Sequence, residues 1–165
     1  MKKTYLFLLS LLCLALWSCG DDETGRPPIF QGFRYTPSTV RAGDDVTITA
    51  VQAQRGTNIY GAHHTWSMTV RIDVDGTPTD TTLTYATQDG KHESLTDDPT
   101  WEVHIPERTL PGVYACSFRG NWNNAADGET ATYSAGTGEG CHGSITSTNS
   151  TLYSRANGSF RLTVQ

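Results

Sequence analysis

The segment Trp66–Tyr85, with the sequence WSMTVRIDVDGTPTDTTLTY, decides the fold of this chain. Before the Asp75-Gly76 dipeptide, apolar residues alternate with polar ones, as they do in a strand with one buried face. These apolar residues are Trp66, Met68, Val70, Ile72 and Val74. An Asp-Gly pair suits a two-residue type I′ turn, because both turn residues need a positive φ. We therefore predict a β-hairpin that turns at Asp75-Gly76.

One register of this hairpin satisfies both faces of its strands. The apolar face then pairs Val74 with Thr77, Met68 with Leu83 and Trp66 with Tyr85. On the polar face the same register brings Arg71 opposite Asp80, a favourable cross-strand ion pair. Because the apolar and the charged pairs agree on one alignment, we expect the hairpin to form in this register.

Alternation of the same kind recurs on both sides of the hairpin. Three further segments show it: Val46–Ala50, Trp101–Ile105 and Phe160–Val164. The chain contains 25 threonines, which suit strands, and 16 glycines, which suit tight turns. About seven to nine short strands separated by turn signals predict an all-β fold, an antiparallel β-sandwich. The polar stretch 121–158 is interpreted as a long insertion with one or two short strands, around Ala131–Tyr133 and Leu152–Tyr153.

Two motifs resemble those of immunoglobulin-like domains. Residues Leu110–Cys116, LPGVYAC, are similar to the entry of the sixth strand of such domains. There, a tyrosine two residues before a cysteine bonds back across the corner. Residues Ser38–Ile48, STVRAGDDVTI, are similar to the first strand crossing of bacterial members. The resemblance implies an Ig-like sandwich over residues 29–165, with Trp66 in its core. The second strand has no cysteine, so the usual inter-sheet bridge of the family is not expected.

The N-terminal segment, MKKTYLFLLSLLCLALWSCGDDE, has the pattern of a cleaved export signal. Two lysines precede an apolar run of about 13 residues, whereas a membrane-spanning helix needs roughly 20. Residues Leu16–Cys19 resemble a bacterial lipobox. This resemblance implies cleavage of a signal peptide, residues 1–18, and attachment of lipid to the Cys19 thiol. The alternative is an ordinary secretory signal, with Cys19 as a structural cysteine.

Residues 19–28 are interpreted as an acidic, proline-containing tether that leads to the domain. Asp21, Asp22 and Glu23 resemble the acidic tag of lipoproteins on the outer face of Gram-negative cells, and a solvated linker is the alternative. The resemblance implies a cell-envelope location at the outer membrane, with the membrane bound through Cys19. Loss of residues 1–18 removes two lysines and no acid, so the net charge changes from −5 to −7. This acidity disfavours nucleic acid as a partner.

Two cysteines remain for the domain once Cys13 leaves with the signal and Cys19 carries lipid. Cys116 and Cys141 are then an even pair in an oxidising compartment, which predicts a disulfide between them. The alternative is a pair of thiolate metal ligands, and no CxxC spacing supports it. The sequence therefore predicts a 116–141 disulfide and no metal or other cofactor.

The histidines and carboxylates form no known catalytic motif in the sequence. The five histidines show neither HxH nor HExxH spacing, and the consecutive His63 and His64 would point to opposite faces of a strand. Asp73–Gly76 resembles the start of a calcium loop, but the twelfth position is Thr84 rather than glutamate. No GxSxG elbow is present. The sequence therefore favours a protein that is not an enzyme, with a small hydrolase as an alternative.

Trp122, Asn124 and Tyr133 are the candidate ligand-binding residues. They lie in the polar stretch, where an aromatic ring beside amides and carboxylates is typical of sugar recognition. The alternative is that the rings pin a long loop onto the sandwich. We therefore expect a non-catalytic envelope lipoprotein that binds a protein, as an adhesin-type module does. The alternative is an accessory that binds a glycan through Trp122.

Overall fold

The computed structural model describes residues 27–56, 59–89, 97–124, 131–149 and 153–165. The predicted signal peptide, residues 1–18, and the lipidation site Cys19 lie outside these residues. Among the described residues, no helix has the length and hydropathy that crossing a membrane requires. The strands are β1 (Ile29–Thr36), β2 (Asp45–Gln54), β3 (Ile59–Val74), β4 (Thr77–Asp89), β5 (Thr100–His104), β6 (Gly112–Asn124), β7 (Ala131–Ser134), β8 (Ser144–Asn149) and β9 (Tyr153–Val164).

The nine strands form two antiparallel sheets that pack face to face. The small sheet has the order β1-β2-β5, and the large sheet has the order β4-β3-β6-β9-β8-β7. Strands β1, β2 and β5 thus lie on one sheet, and strands β3, β6 and β9 lie on the other. Immunoglobulin-type sandwiches divide their first, second, fifth, third, sixth and last strands between two sheets in the same way. The predicted all-β antiparallel sandwich is therefore confirmed, and β8 with β7 extends the large sheet beyond its usual edge.

The hairpin that the sequence predicts is present in the predicted register. Val74 pairs with Thr77, Met68 with Leu83 and Trp66 with Tyr85. The turn residues Asp75 and Gly76 have φ values of 52° and 81°, as a type I′ turn requires. On the polar face, Arg71 Nε donates to Asp80 Oδ1 at 3.2 Å. Both strands run further than predicted, since β3 begins at Ile59 and β4 ends at Asp89.

The polar stretch 121–158 is mostly sheet rather than a loop. Strand β6 continues to Asn124, and β9 pairs with it over twelve positions from Tyr153 onward. Between them, β7 and β8 pair with each other, and β8 pairs with β9. A strand is predicted near residues 131–133 and is found there as β7, whereas β8 was missed. Its alternating residues are mostly Ser and Thr, so hydropathy gives little signal.

The core lies between the two sheets and is rich in aromatic side chains. Trp66 is fully buried, which confirms its predicted place in the core, and the ring centroids of Phe118 and Trp101 lie 5.6 Å apart. The predicted corner is also present, because Tyr114 Oη donates to the Leu110 carbonyl at 2.5 Å. This bond ties the start of β6 to the loop that precedes it.

The described chain enters the sandwich at the end where Trp122 lies. Strand β1 begins at Ile29, yet Pro27 and Pro28 are already buried. Ser147 Oγ donates to the Pro28 carbonyl at 2.6 Å, and the ring of Phe30 stacks on that of Trp122. The folded unit therefore includes two prolines that were assigned to the tether.

Candidate functional site

The outer face of the large sheet is its surface opposite the small sheet. In β6 and β9 the even-numbered residues Cys116, Phe118, Phe160 and Leu162 are buried in the core. Because successive side chains in a strand alternate, the odd-numbered residues point outward. The outward residues from Ala115 to Asn121 and from Arg155 to Thr163 are exposed. This face is broad, since β8 and β7 extend it on one side and β3 and β4 on the other.

The register places arginines and small polar residues in rows across this face. Arg119 lies opposite Asn157, Asn121 opposite Arg155, and Ala115 opposite Arg161. Serines from three strands form one row, because Ser117 and Ser144 both pair with Ser159. Thr146 and Thr148 of β8 continue the rows that contain Asn157 and Arg155. The outcome is a flat array of hydroxyl, amide and guanidinium groups.

Short contacts between hydroxyl groups hold part of this array in place. The hydroxyl oxygens of Ser67 and Ser117 lie 2.7 Å apart, and those of Thr69 and Thr82 lie 3.0 Å apart. Each pair joins neighbouring strands on the outer face, as cross-strand hydroxyl pairs do in antiparallel sheets. These hydrogen bonds therefore fix the positions of hydroxyl groups on β3 relative to those on its neighbours β4 and β6.

The charges on this face are unlike those of the whole chain. The chain has a net charge of −5. The outward positions of β6, β7, β8 and β9 that the structure describes carry three arginines and no carboxylate: Arg119, Arg155 and Arg161. Neither Arg119 nor Arg161 makes an ion pair or hydrogen bond within the described part of the chain. The outer face of the small sheet differs, because its described residues include Asp45 and Glu102.

A second surface feature lies at the end of the sandwich opposite Trp122. The Asp75-Gly76 hairpin and the loop before β6 meet there through backbone bonds, with Leu110 N donating to the Arg71 carbonyl at 2.8 Å. Two open depressions of about 500 and 460 Å³ flank this junction. The first contains Arg71 and Asp80, which pair with each other, and the exposed Val113. This corner carries both signs of charge and little enclosed volume.

Trp122, predicted as a ligand platform, is a core residue instead. Its side chain is 1% exposed, and its ring centroid lies 6.4 Å from that of Phe30 and 5.5 Å from that of His64. Gly120 makes room for the indole, because a Cβ there would lie 2.8 Å from Trp122 Cη2. The prediction of an exposed Trp122 is therefore wrong, since the even-numbered alternation of β6 continues through this residue.

The other two predicted binding residues do not gather into a site with Trp122. Tyr133 is half-buried on β7, a strand that pairs with β8 and lies at the edge of the large sheet. Asn124 ends β6, and its side chain lies outside the described part of the structure. An aromatic platform built from these residues is not supported by their positions.

The two domain cysteines are free thiols in this structure, so the predicted disulfide between them is not formed. Cys116 faces the core, where its Sγ lies 3.4 Å from Met68 Sδ. Burial raises the pKa of the Cys116 thiol to about 12, which keeps it protonated and unreactive. Cys141 is half-buried beside Gly32 of β1, the strand that packs over β8.

The histidines occupy separate environments. His64 is buried and its ring stacks on that of Phe118, whereas His63 is half-buried on the opposite face of β3. His104 Nδ1 lies 2.8 Å from Asp45 Oδ1 on the small sheet. Within the described ranges, no three His, Cys, Asp or Glu side chains come together as a metal-binding group.

The arginines of the outer face are candidate binding residues that the sequence alone does not predict. Arg119 lies 36 residues before Arg155 in the sequence, and only the pairing of β6 with β9 brings it onto one face with Arg155 and Arg161. One signal was present, because polar residues alternate with apolar ones from Cys116 to Trp122. Comparisons with protein-family models, curated proteins and solved structures find no match for this chain.

Proposed function

We propose that this chain is a non-catalytic cell-envelope lipoprotein whose sandwich is a binding module. The proposal joins two parts of the chain. The lipobox-like residues Leu16–Cys19 supply a lipid anchor, and the outer face of the large sheet supplies a binding surface. Several acyl chains on one residue would hold the protein on a membrane, whereas a single chain binds only marginally.

The observation that carries this proposal is the uncovered outer face of the large sheet. Sheets in sandwiches need to bury one face only, so the other is free to bind a partner. Here the free face spans six strands and contains ordered hydroxyl pairs and two arginines without a partner among the described residues. A flat polar surface of this kind suits an extended ligand better than a small substrate, which needs a concave pocket.

A glycan-binding accessory that uses Trp122 is no longer a candidate in that form, because the indole is buried. The small hydrolase also lacks a specific observation in its favour. The two depressions at the hairpin end are open, and Arg71 and Asp80 in the larger one pair with each other. The binding module is therefore the function that the geometry supports best.

The anchor is tested by growing cells with an alkyne-bearing palmitate and detecting label on the protein. We expect the wild-type chain to be labelled and Cys19→Ala to lose the label, because the lipid is attached through a thioether to the Cys19 sulfur. Cys13→Ala is the matched control, since residue 13 leaves with the signal, and its mature protein should keep the label. Equal labelling of wild type and Cys19→Ala would contradict the anchor.

A further inference from the structure

We propose that the outer face of β6 and β9 binds an anionic polysaccharide, one that carries carboxylate or sulfate groups, through Arg119 and Arg161. The inference rests on the proposed function for its biological setting, because a displayed module meets such polymers outside the cell. The chemistry itself rests on the charges and register of the outer face. An anionic polysaccharide is therefore the class of ligand that we assign to the binding surface.

The arginines form a line of positive charge along the two central strands. Arg119 lies opposite Asn157, so it is a diagonal neighbour of Arg155, and such neighbours are about 7–8 Å apart. Arg155 and Arg161 are six residues apart on β9, which corresponds to about 20 Å of strand. A linear polymer that follows the strand direction would meet both Arg119 and Arg161, which lie about 13 Å apart along the strands.

The groups between the arginines suit the neutral parts of a sugar chain. Asn157 and Ser159 lie between Arg155 and Arg161 on β9, and Ser117 and Ser144 flank Ser159 on the neighbouring strands. Hydroxyl and amide groups can donate to and accept from sugar hydroxyls. A guanidinium binds carboxylate or sulfate through two parallel hydrogen bonds, which adds geometric specificity to charge.

An acidic protein fits this face less well than a polysaccharide does. The centre of a protein interface is usually apolar and contains aromatic anchors. The outward residues of β6 from Val113 to Asn121, of β8 from Ser144 to Thr148 and of β9 from Arg155 to Thr163 include no aromatic side chain, and their apolar members are only Val113 and Ala115. The face therefore lacks the buried centre that a protein partner would need.

Nucleic acid also fits poorly. Single strands are bound by stacking bases on aromatic rings, and the outward residues around the arginines, 113–121 of β6 and 155–163 of β9, include none. Duplexes are bound by domains with a strong excess of positive charge, whereas this chain has a net charge of −5. A sugar polymer with spaced anionic groups needs only the local positive charge that the face provides.

The experiment measures binding of the detergent-solubilised, full-length lipoprotein to immobilised polygalacturonate, dextran sulfate and neutral dextran. We expect binding to at least one anionic polymer and none to neutral dextran. Arg119→Gln and Arg161→Gln should each weaken that binding about threefold, and the double variant about tenfold, as expected for exposed charge pairs. Arg34→Gln, which removes an exposed arginine from the small sheet, is the matched control and should bind within twofold of wild type.

Three results would overturn the proposal. The first is binding to the anionic polymers that is the same for the double variant and the wild type. The second is equal binding to neutral dextran. The third is binding to poly-glutamate or duplex DNA that is as tight as to the polysaccharides and depends on the same arginines. Circular dichroism of each variant checks that the fold is intact.

A change of salt concentration adds a second measurement. Exposed charges are screened at high salt, so binding should weaken as the salt rises from 50 to 500 mM, and the double variant should show a shallower dependence. Failure of this inference and failure of the anchor are distinguishable. Loss of polymer binding leaves the palmitate label intact, and loss of the label leaves polymer binding by the purified protein unchanged.

Discussion

The two faces of β6 and β9 are built from the same strands and have opposite chemistry. Their inward residues include Phe118, Trp122 and Phe160, which are buried against the small sheet. Their outward residues from Ser117 to Asn121 and from Arg155 to Thr163 are serines, asparagines, arginines and a threonine that remain exposed. Because the period of a strand is two, neighbouring residues in the sequence belong to different environments. An aromatic residue in a polar stretch is therefore no sign of a binding site when it keeps the phase of the core.

The inward residues of β6 and β9 stabilise the fold, and the outward residues are the ones that we propose bind a ligand. Inward substitutions should lower the free energy of unfolding without a specific effect on ligands. Outward substitutions should leave the free energy of unfolding nearly unchanged and alter binding. Three substitutions and one change of pH test this division between the two faces, and the substitution of Trp122 should have the largest effect.

Trp122→Ala should destabilise the domain by about 3–5 kcal/mol, because it removes a large buried ring and leaves a cavity. The neighbouring outward substitution Asn121→Ala is the matched control and should change the free energy of unfolding by less than about 0.5 kcal/mol. Urea denaturation followed by fluorescence or circular dichroism measures both. A change at Trp122 as small as that at Asn121 would show that the ring is not part of the core.

Raising the pH above 9 should lower the free energy of unfolding, because the buried Cys116 thiol stays protonated only in the folded state. Burial raises its pKa from 9.0 to about 12, so the folded state holds a proton that the unfolded state releases above pH 9. Stability from this group is therefore complete below pH 9. Above pH 9 it falls, on the order of 1 kcal/mol per pH unit, until the folded thiol also ionises.

The measurement is the free energy of unfolding between pH 7 and pH 11 for wild type and Cys116→Ala. The alanine variant lacks the thiol, so the difference between the two proteins should be constant up to pH 9 and then shift against the wild type. Parallel pH profiles would contradict the buried thiol. Iodoacetamide labelling gives a second readout, since folded protein should react at Cys141 before Cys116, and a disulfide would block both.

Tyr114→Phe should cost about 1 kcal/mol, because the variant keeps the ring and loses the hydrogen bond to the Leu110 carbonyl. Tyr133→Phe is the control, since Tyr133 has no hydrogen bond among the described residues. Thermal denaturation of the two variants should separate them. Equal melting temperatures would mean that the corner contributes nothing beyond packing.

Arg161→Gln should have the smallest effect on stability, within about 0.5 kcal/mol of wild type, because the side chain is exposed and makes no ion pair with the described residues. Arg71→Gln breaks the exposed pair with Asp80 and should cost about 0.2–1 kcal/mol. Urea denaturation of both variants measures the difference. A clear loss of stability in Arg161→Gln would contradict the prediction that outward residues contribute little to the free energy of unfolding.

Local patterns in the sequence predicted much of the fold. The hairpin register followed from the Asp75-Gly76 turn and from residues at most 19 positions apart in the sequence, so no long-range information was needed. The Tyr114 corner followed from a short motif. Strand β8 is not predicted because its residues, apart from Ile145, are polar on both faces, and its partner β9 is predicted only in part, near Tyr153 and from Phe160 onward.

The binding surface could not be predicted in the same way. Arg119 and Arg161 lie 42 residues apart in the sequence and share one face, about 13 Å apart along the strands, only because β9 pairs with β6. A single sequence carries no record of that pairing. Trp122 was assigned to a loop because Asn121, Asn123 and Asn124 surround it, although its even-numbered phase with Cys116 and Phe118 already placed it in the core.

The hydrogen bond from Ser147 to Pro28 fixes where a stalk from the lipid would join the domain. Pro28 is nine positions after Cys19 in the sequence, a length of chain that reaches about 30 Å when extended. With the proposed anchor joined at this end, the strands would lead away from the point of attachment, and the Asp75-Gly76 turn would lie at the far end of β3. The broad polar sheet would then face sideways, so a passing polymer could lie along it without being blocked by the bilayer below.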